Sequence, residues 1–133
     1  MNFLLDTHVL VWAVESPTKL GVHCRALLKS SSNDFFISTI SAMELAQLVS
    51  KKKLSLHGTL NSWFRRACEA LDIKILDIDL PTALLTYSLP GKFHKDPADR
   101  LLVAAAIQHG HTLVTADERI ITYPNVIVRD ARK

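Results

Sequence analysis

The stretch Phe3-Leu4-Leu5-Asp6 decides the fold, because a short apolar run stops abruptly at an acidic residue. Apolar side chains then recur at helical spacing from Val9 to Ala13, until Pro17 ends the pattern. A strand followed at once by a helix is therefore predicted at the start of the chain. Asp6 stands at the carboxyl end of that strand.

Strand and helix patterns alternate along the rest of the chain. Further strands are predicted at residues 35–37, 73–78, 112–115 and 126–128. Helices are predicted at residues 19–29, 41–52, 59–71, 81–89 and 97–109. Helical segments between successive strands indicate a parallel sheet that is covered by helices on both faces. We expect an α/β fold, a three-layer α/β/α sandwich with a parallel sheet of about five strands.

Length and composition fit one compact unit. The 133 residues are enough for a single hydrophobic core, and we expect residues 1–133 to form one domain. Apolar residues make up 48% of the chain and charged residues 22%, which argues against a disordered protein. The net charge of +3 permits a polyanionic partner without requiring one.

Neither the cysteines nor the apolar segments indicate an oxidising or membrane environment. Cys24 and Cys68 lie in apolar, helix-like stretches without a partner at metal-ligand spacing, so we expect two buried thiols. No stretch reaches the roughly twenty apolar residues of a membrane-spanning helix. Asp6 and His8 interrupt the apolar N-terminus, which also lacks the basic start of a signal peptide. We expect a soluble, cytoplasmic protein.

Four acidic residues each stand where an apolar run breaks off and the next turn or helix begins. They are Asp6, Glu44, Asp99 and Asp117. Because strands of one sense in an open α/β sheet end at the same edge, side chains just past several strands converge there. Gathered carboxylates repel one another, and a divalent cation relieves that repulsion. The pattern favours a metal-dependent enzyme over a binding module.

Each acid also has a structural alternative. Ser41 to Glu44 forms an S-x-x-E pattern, in which the glutamate would close a capping box. Asp96 is a good N-cap before Pro97, and Asp99 near the positive helix end would be stabilised by the helix dipole. Asp6 and Asp117 are harder to explain this way. Asp6 ends a strand that should be buried on both faces. Asp117 follows the apolar run at residues 113–116 in the same way, although an aspartate in a simple turn would look the same.

Other catalytic classes lack their motifs. The chain has no Ser-His-Asp or Cys-His arrangement, no Walker loop and no G-x-G-x-x-G segment, which argues against acyl transfer and nucleotide-driven motors. Among the six histidines, His8 alone lies two residues after a candidate ligand, and we expect it to support the site.

Basic residues lie near several of these acids in the sequence. Most such charges belong to a solvated face, but a few beside a carboxylate–metal site would hold an RNA backbone that the acids repel. The candidates for RNA binding are Lys51, Lys52, Lys92, Lys95 and Arg100.

Four short motifs follow one another along nearly the whole chain. They are Leu4-Leu5-Asp6-Thr7-His8, Ile40-Ser41-Ala42-Met43-Glu44-Leu45, Asp96-Pro97-Ala98-Asp99-Arg100-Leu101-Leu102-Val103-Ala104-Ala105-Ala106 and Leu113-Val114-Thr115-Ala116-Asp117. Together they resemble the PIN domain ribonucleases, in particular the VapC-like toxins of bacterial toxin–antitoxin pairs. The resemblance implies a parallel sheet in the order 3-2-1-4-5.

The resemblance also implies a site, a cofactor and partners. One or two Mg²⁺ or Mn²⁺ ions would be bound by the four acids, with Asp6 and Asp99 as the principal ligands. Thr115 falls on the family's small hydroxyl position and Asp96 on a supporting acid, whereas His8 departs from the small polar residue that many PIN domains carry. An RNA substrate, a cognate antitoxin protein and a homodimer are the expected partners.

Two other function classes stay open from the sequence. One is a catalytically silent PIN-like fold that binds RNA or serves in assembly, and metal-dependent RNA cleavage would separate it from the enzyme. The other is a receiver-type signalling domain with Asp79 as the phosphoacceptor. Only one acid follows the first strand and no Lys-Pro follows the fourth, which counts against the receiver domain.

Overall fold

The computed structural model describes all of residues 1–133 and contains five strands and seven α-helices. The strands are β1 (Asn2–Leu5), β2 (Asp34–Ser38), β3 (Ile73–Leu76), β4 (Thr112–Thr115) and β5 (Val128–Asp130). The helices are α1 (Thr7–Glu15), α2 (Val22–Lys29), α3 (Thr39–Ser50), α4 (Leu60–Ala70), α5 (Leu80–Leu85), α6 (Pro97–His109) and α7 (Glu118–Ile121).

All strand pairs are parallel, and the sheet order is β3-β2-β1-β4-β5. The expected fold class and strand order are therefore confirmed. A receiver domain has the order 2-1-3-4-5, so the sheet rules out that alternative. Asp79 instead caps α5, where its carboxylate accepts a hydrogen bond from the Thr82 amide at 2.9 Å.

The central strand β1 has helices packed against both faces. Phe3 and Leu5 are fully buried on the face that α1, α3 and α4 cover, and Leu4 is fully buried on the face that α6 and α7 cover. This alternation follows from the two-residue side-chain period of a strand. It explains why β1 is apolar throughout and why the first polar residue marks its end.

The sheet reverses its direction of growth beside β1. The chain adds β2 and β3 on one side of β1 and then places β4 and β5 on the other. A crevice therefore opens between the carboxyl ends of β1 and β4, because the connections leave these two strands in opposite directions. Asp6 follows β1 directly, and Asp117 comes two residues after β4.

The start of α3 differs from the prediction. The helix begins at Thr39 because Ser38, the last residue of β2, serves as the N-cap and accepts a hydrogen bond from the Ile40 amide at 3.1 Å. Ser41 therefore lies inside the helix, and the capping-box interpretation of Glu44 is wrong. By contrast, the predicted cap at Asp96 is confirmed.

The last strand also differs from the prediction. It runs from Val128 to Asp130 rather than from 126 to 128, because Asp130 pairs with Thr115 at the end of β4. Val126 instead packs against the second core cluster before the strand begins. β5 is an edge strand, where an exposed charge such as that of Arg129 is tolerated.

Both cysteines are buried and unpaired, as expected. No helix is long and apolar enough to span a bilayer, the longest being α6 with 13 residues.

Candidate active site

Asp6 is fixed from two sides at the junction of β1 and α1. As the N-cap of α1 it accepts a hydrogen bond from the Thr7 amide on Oδ1 at 2.7 Å. Its other oxygen, Oδ2, accepts a hydrogen bond from the hydroxyl of Thr115 at 2.6 Å. Capping and a place in the site are therefore compatible roles for this carboxylate.

Thr115 links the ends of β1 and β4. Its side chain is completely buried, and its hydroxyl oxygen accepts a hydrogen bond from the Asp117 amide at 3.0 Å while the hydroxyl donates to Asp6. One threonine thus sets the positions of two aspartates. Its hydroxyl does not reach the solvent side of the site.

Glu44 is held by a residue of the first helix. The Thr7 hydroxyl donates a hydrogen bond to Oε1 of Glu44 at 2.7 Å, and Oγ of Ser41 lies 2.8 Å from the same hydroxyl. Thr7 and Ser41 are both buried. This contact between α1 and α3 replaces the capping role and directs the carboxylate towards the carboxyl edge of the sheet.

The start of α6 supplies the third part of the site. Asp96 is the N-cap and accepts hydrogen bonds from the amides of Ala98 at 2.9 Å and Asp99 at 3.2 Å. Pro97 occupies the first helical position. Asp99 follows in the first turn with only 8% of its surface exposed, which is unusual for a carboxylate without strong cationic partners.

These side chains line one open cavity of about 310 Å³. All four predicted ligands lie on its wall, together with the predicted supporting residues His8 and Asp96. A larger recess of about 720 Å³ lies between α2 and β5, but Asp130 is its only carboxylate side chain. The smaller cavity is the candidate active site because the acids converge there.

Burial and crowding make ionisation unfavourable in this cavity. Desolvation, followed by the negative charges of Asp96, Asp6, Asp117 and Glu44, raises the pKa of Asp99 to about 7. Burial also raises the pKa of Asp6 and of Glu44, despite the threonine hydrogen bonds that favour their charged forms. The cavity therefore holds more negative charge than its surroundings stabilise.

Arg119 is the one cation in direct contact with the aspartates. One guanidinium nitrogen lies 3.1 Å from Oδ2 of Asp117 and 3.4 Å from Oδ2 of Asp99. Burial alone would raise the pKa of Asp117, but the hydrogen bonds and charge of Arg119 outweigh it and lower the pKa. The guanidinium offsets part of the negative charge near α7.

His94 lies on the other side of Asp99. Its Nε2 approaches Oδ2 of Asp99 to 3.0 Å, without the alignment of a hydrogen bond, and Nδ1 accepts a long hydrogen bond from the Asp96 amide at 3.4 Å. Burial and the positive charge of Arg119 lower the pKa of His94. At neutral pH a neutral imidazole therefore faces Asp99.

The donor set suits a hard divalent cation. Four carboxylates on one wall, three with a raised pKa, match the oxygen ligands and the charge that Mg²⁺ or Mn²⁺ require. In the present conformation no three side chains are close enough together to enclose an ion. Arg119 lies between Asp99 and Asp117, so side chains must rotate before these acids can surround an ion together.

The predicted RNA-binding residues divide into two groups. Lys92 and Lys95 are exposed in the loop that leads to α6, and Lys51 and Lys52 are exposed at the end of α3. None of these four lines the acidic cavity.

Arg100 makes structural contacts within the protein. Its guanidinium donates hydrogen bonds to the carbonyls of Thr86 and Phe93, both at 2.9 Å, and lies over the rings of Tyr87 and Phe93. It ties the loop before α6 to the end of α5. Two of its donors are therefore directed at the protein itself, and a role of Arg100 in RNA binding stays a prediction.

Four residues of the site were not identified from the sequence as contributors. They are Thr7, Trp12, His94 and Arg119. Thr7, which follows Asp6, carried a local signal as the first residue of a helix. His94 and Arg119 reach Asp99 through contacts that have no fixed spacing in the sequence, and Trp12 lines the cavity.

Comparison with known proteins agrees with this geometry. Residues 3–125 match the PIN domain family. The chain is 33% identical over 117 residues to Ribonuclease VapC22 of Mycobacterium tuberculosis, covering 88% of each protein. Its fold is similar to the structure of VapBC2 from Rickettsia felis bound to a DNA fragment from its promoter, with a TM-score of 0.68 and 23% identity over 98% of both chains. It is also similar to FitAB bound to the IR36 DNA fragment, with a TM-score of 0.69 and 24% identity over 98% of this chain and 96% of the other. The chain belongs to the PIN domain family.

Proposed function

We propose that the protein is an endoribonuclease that hydrolyses RNA phosphodiester bonds with one or two Mg²⁺ or Mn²⁺ ions. The sequence relative named Ribonuclease VapC22 supports this activity, and the acidic cavity supplies a site for it. The observation that carries the proposal is the convergence of Asp6, Glu44, Asp99 and Asp117 on one cavity. Asp99 is almost fully buried there, and burial and the four neighbouring acids raise its pKa to about 7. A bound divalent cation would stabilise the charged forms of such crowded carboxylates.

The four acids would share the cation. Asp6 and Asp99 would bind it directly, and Glu44 and Asp117 would bind directly or through water. When bound, the ion lowers the pKa of a coordinated water and neutralises charge on the phosphoryl oxygens. No covalent protein nucleophile is required, which agrees with the absence of a Ser-His-Asp or Cys-His arrangement in the sequence.

The neighbouring residues position the carboxylates. Thr115 and Thr7 hold Asp6 and Glu44 through short hydrogen bonds, which limits the rotation of both acids. Asp96 fixes the backbone from which Asp99 projects. Arg119 is free to contact a phosphate oxygen once a cation replaces it beside Asp99.

Purified protein should cleave single-stranded RNA with Mn²⁺ or Mg²⁺ and stop when EDTA is added. The Asp6→Asn protein, purified identically, should lose at least about 100-fold in rate, which controls for contaminating nuclease. Cleavage that survives EDTA would contradict the metal mechanism. Metal-independent RNA binding without cleavage by the wild-type protein would favour a catalytically silent PIN-like module.

The same cavity suits inhibition by a partner protein. The solved structures of similar fold include VapBC toxin–antitoxin assemblies, and a guanidinium already fits between Asp99 and Asp117 in this chain. We infer that the protein is the toxin of such a pair and that a basic side chain of the antitoxin enters the acidic cavity. Expression alone should slow growth, and co-expression of the antitoxin should restore it.

A homodimer is proposed as well. Helix α5 and the residues after it expose a strip of large apolar side chains, Leu80, Leu84 and Tyr87, each at least 68% accessible. Exposed apolar surface of this kind commonly marks a protein interface. Light scattering at micromolar concentration should give twice the chain mass, and Leu84→Glu should give the mass of one chain.

A further inference from the structure

A second groove adjoins the acidic cavity along α1. It has a volume of about 300 Å³ and lies between α1 and the loop that follows α3. His8 and Trp12 line both cavities, so the groove and the acidic site form one continuous surface. The two cavities differ in charge, because Lys19 and Lys53 line the groove and a cluster of carboxylates lines the acidic cavity.

Trp12 is placed as a platform on this surface. It is half-buried, and the His8 ring packs edge-on against it at a centroid distance of 5.9 Å. The ammonium of Lys19 lies 6.0 Å from the centre of the indole ring. A partly exposed indole beside a cationic group is an arrangement that stacks nucleic acid bases and holds their phosphates.

The single acid of the groove is already engaged. Glu15 accepts a hydrogen bond from the indole nitrogen of Trp63 at 2.7 Å, which binds its carboxylate to α4. Lys19 and Lys53 are exposed and make no ion pair, so they give the groove a net positive charge. A polyanion repelled by the carboxylates of the acidic cavity finds its complementary charge here.

We propose that this groove binds one nucleotide of single-stranded RNA next to the bond that is cut. The base stacks on Trp12, and the backbone phosphate lies between Lys19 and Lys53. The inference rests on the proposed ribonuclease function and adds to it a site for the substrate.

The test uses two fluorescein-labelled probes, an eight-nucleotide oligoadenylate and a ribose-phosphate chain of the same length without bases. Binding is measured by anisotropy in an Asp99→Asn background, so that the probes are not cut. Trp12→Ala should weaken oligoadenylate binding by about 10-fold and leave the abasic probe nearly unchanged, because only a base stacks. Trp12→Phe, which keeps a ring, should lose about threefold or less.

Replacing Lys19 or Lys53, unlike replacing Trp12, should not discriminate between the two probes. Lys19→Ala and Lys53→Ala should weaken both probes alike and lower the salt dependence by about one released counterion each. Lys29→Ala, an exposed lysine on α2 outside the groove, is the matched control and should bind as the parent does. These exposed lysines can be replaced without disturbing the core, so the test does not depend on Trp12→Ala folding normally.

The outcomes separate the subsite from the ribonuclease function. If wild-type protein cleaves RNA but the parent binds both probes equally and Trp12→Ala changes neither, the subsite is overturned and the enzyme remains. If wild-type protein neither binds nor cleaves RNA, both proposals fall. If Trp12→Ala leaves RNA binding intact but abolishes capture of the antitoxin, the groove serves a protein partner and the proposal is overturned.

Discussion

Asp99 occupies an electrostatically unfavourable position. It is almost fully buried, its neighbours are acidic, and the guanidinium contact at 3.4 Å is too long to compensate fully. In the metal-free protein the charged form is therefore disfavoured. A cation would reverse that balance, since it turns the crowded carboxylates from mutually repelling groups into ligands.

Metal-free stability should depend on pH through Asp99. Its pKa rises from 3.8 to about 7 on folding. At pH values between these two, the folded state therefore holds a proton that the unfolded state has released. The contribution of Asp99 to stability is therefore greatest below the unfolded pKa and falls as the pH rises towards 7. Asp99→Asn should raise the free energy of unfolding at pH 8 by roughly 2–4 kcal/mol.

The measurement is a comparison of chemical denaturation curves of wild type and Asp99→Asn from pH 4 to pH 8 with EDTA present. The difference between the two proteins should grow with pH. Wild type and variant must be compared because the pKa of the buried His111 is lowered. The contribution of His111 to stability therefore rises with pH, whereas that of Asp99 falls. A constant difference across the range would show that Asp99 does not titrate as described.

Glu44→Gln tests whether Glu44 serves the metal. Glutamine can still accept the Thr7 hydrogen bond, and it removes a charge whose pKa burial has raised. We therefore expect RNA cleavage and the Mn²⁺-induced rise in melting temperature to fall sharply. The melting temperature without metal should stay level or rise.

Ser38→Ala is the matched control, because Ser38 and not Ser41 caps α3. It should cost about 1 kcal/mol of stability and keep the Mn²⁺-induced gain in melting temperature. Full activity of the Glu44→Gln protein would remove Glu44 from the site and leave three aspartates to bind the metal.

Asp6 and Asp117 stand out in the sequence because each follows the apolar run of a strand. The contacts within the site were not predictable, because Thr7 reaches Glu44 across 37 residues and Arg119 reaches Asp99 across 20. Such pairs depend on how helices pack on the sheet. The internal contacts of Arg100 were likewise not predictable from its position beside Asp99 in the sequence.

At the scale of elements, capping and the site use the same residues. Asp6 caps α1, Asp96 caps α6 and Asp117 caps α7, while all three line the acidic cavity. Helix N-termini favour negative charge and carboxylates satisfy their free amides. Capping a helix and taking part in the candidate site are therefore compatible roles for these three aspartates. Glu44 differs, because Ser38 caps α3.

Asp96 allows the two roles to be separated. Asparagine keeps the N-cap oxygen, so Asp96→Asn should retain the fold and, if Asp96 only supports α6, most of the RNA cleavage. Asp96→Ala should lose about 0.5–2 kcal/mol of stability because two amides of α6 lose their acceptor. Thermal melts and cleavage rates of both variants check this. Inactive Asp96→Asn protein with a normal melt would make Asp96 a metal ligand.

Element order was more predictable than element edges. Alternating apolar runs and helical periodicity predicted the order of the strands along the chain correctly. The edges were less accurate, because α3 begins earlier and β5 begins later than predicted. Ser38 and Ser41 are both credible caps, and only the absence of a loop between β2 and α3 decides between them. The position of β5 depends on its pairing with β4, which is a long-range contact.

At the scale of the whole molecule, strand order creates the site. Placing β1 between β2 and β4 brings Asp6 and Asp117 to one crevice, although 111 positions separate them in the chain. Helices α3 and α6 contribute Glu44 and Asp99 to the same cavity. The α1 groove extends this surface with a stacking ring and positive charge.

Binding of a divalent cation by these carboxylates can be measured without RNA by a calorimetric titration of Mn²⁺ into the protein. We expect saturable binding to wild-type protein that weakens at least about 10-fold in Asp99→Asn and in Asp6→Asn. Lys29→Ala, with its charge change far from the cavity, should bind Mn²⁺ as wild type does. Equal affinity in wild type and both aspartate variants would contradict metal binding by these carboxylates, as would no detectable binding under conditions in which the wild-type protein cleaves RNA.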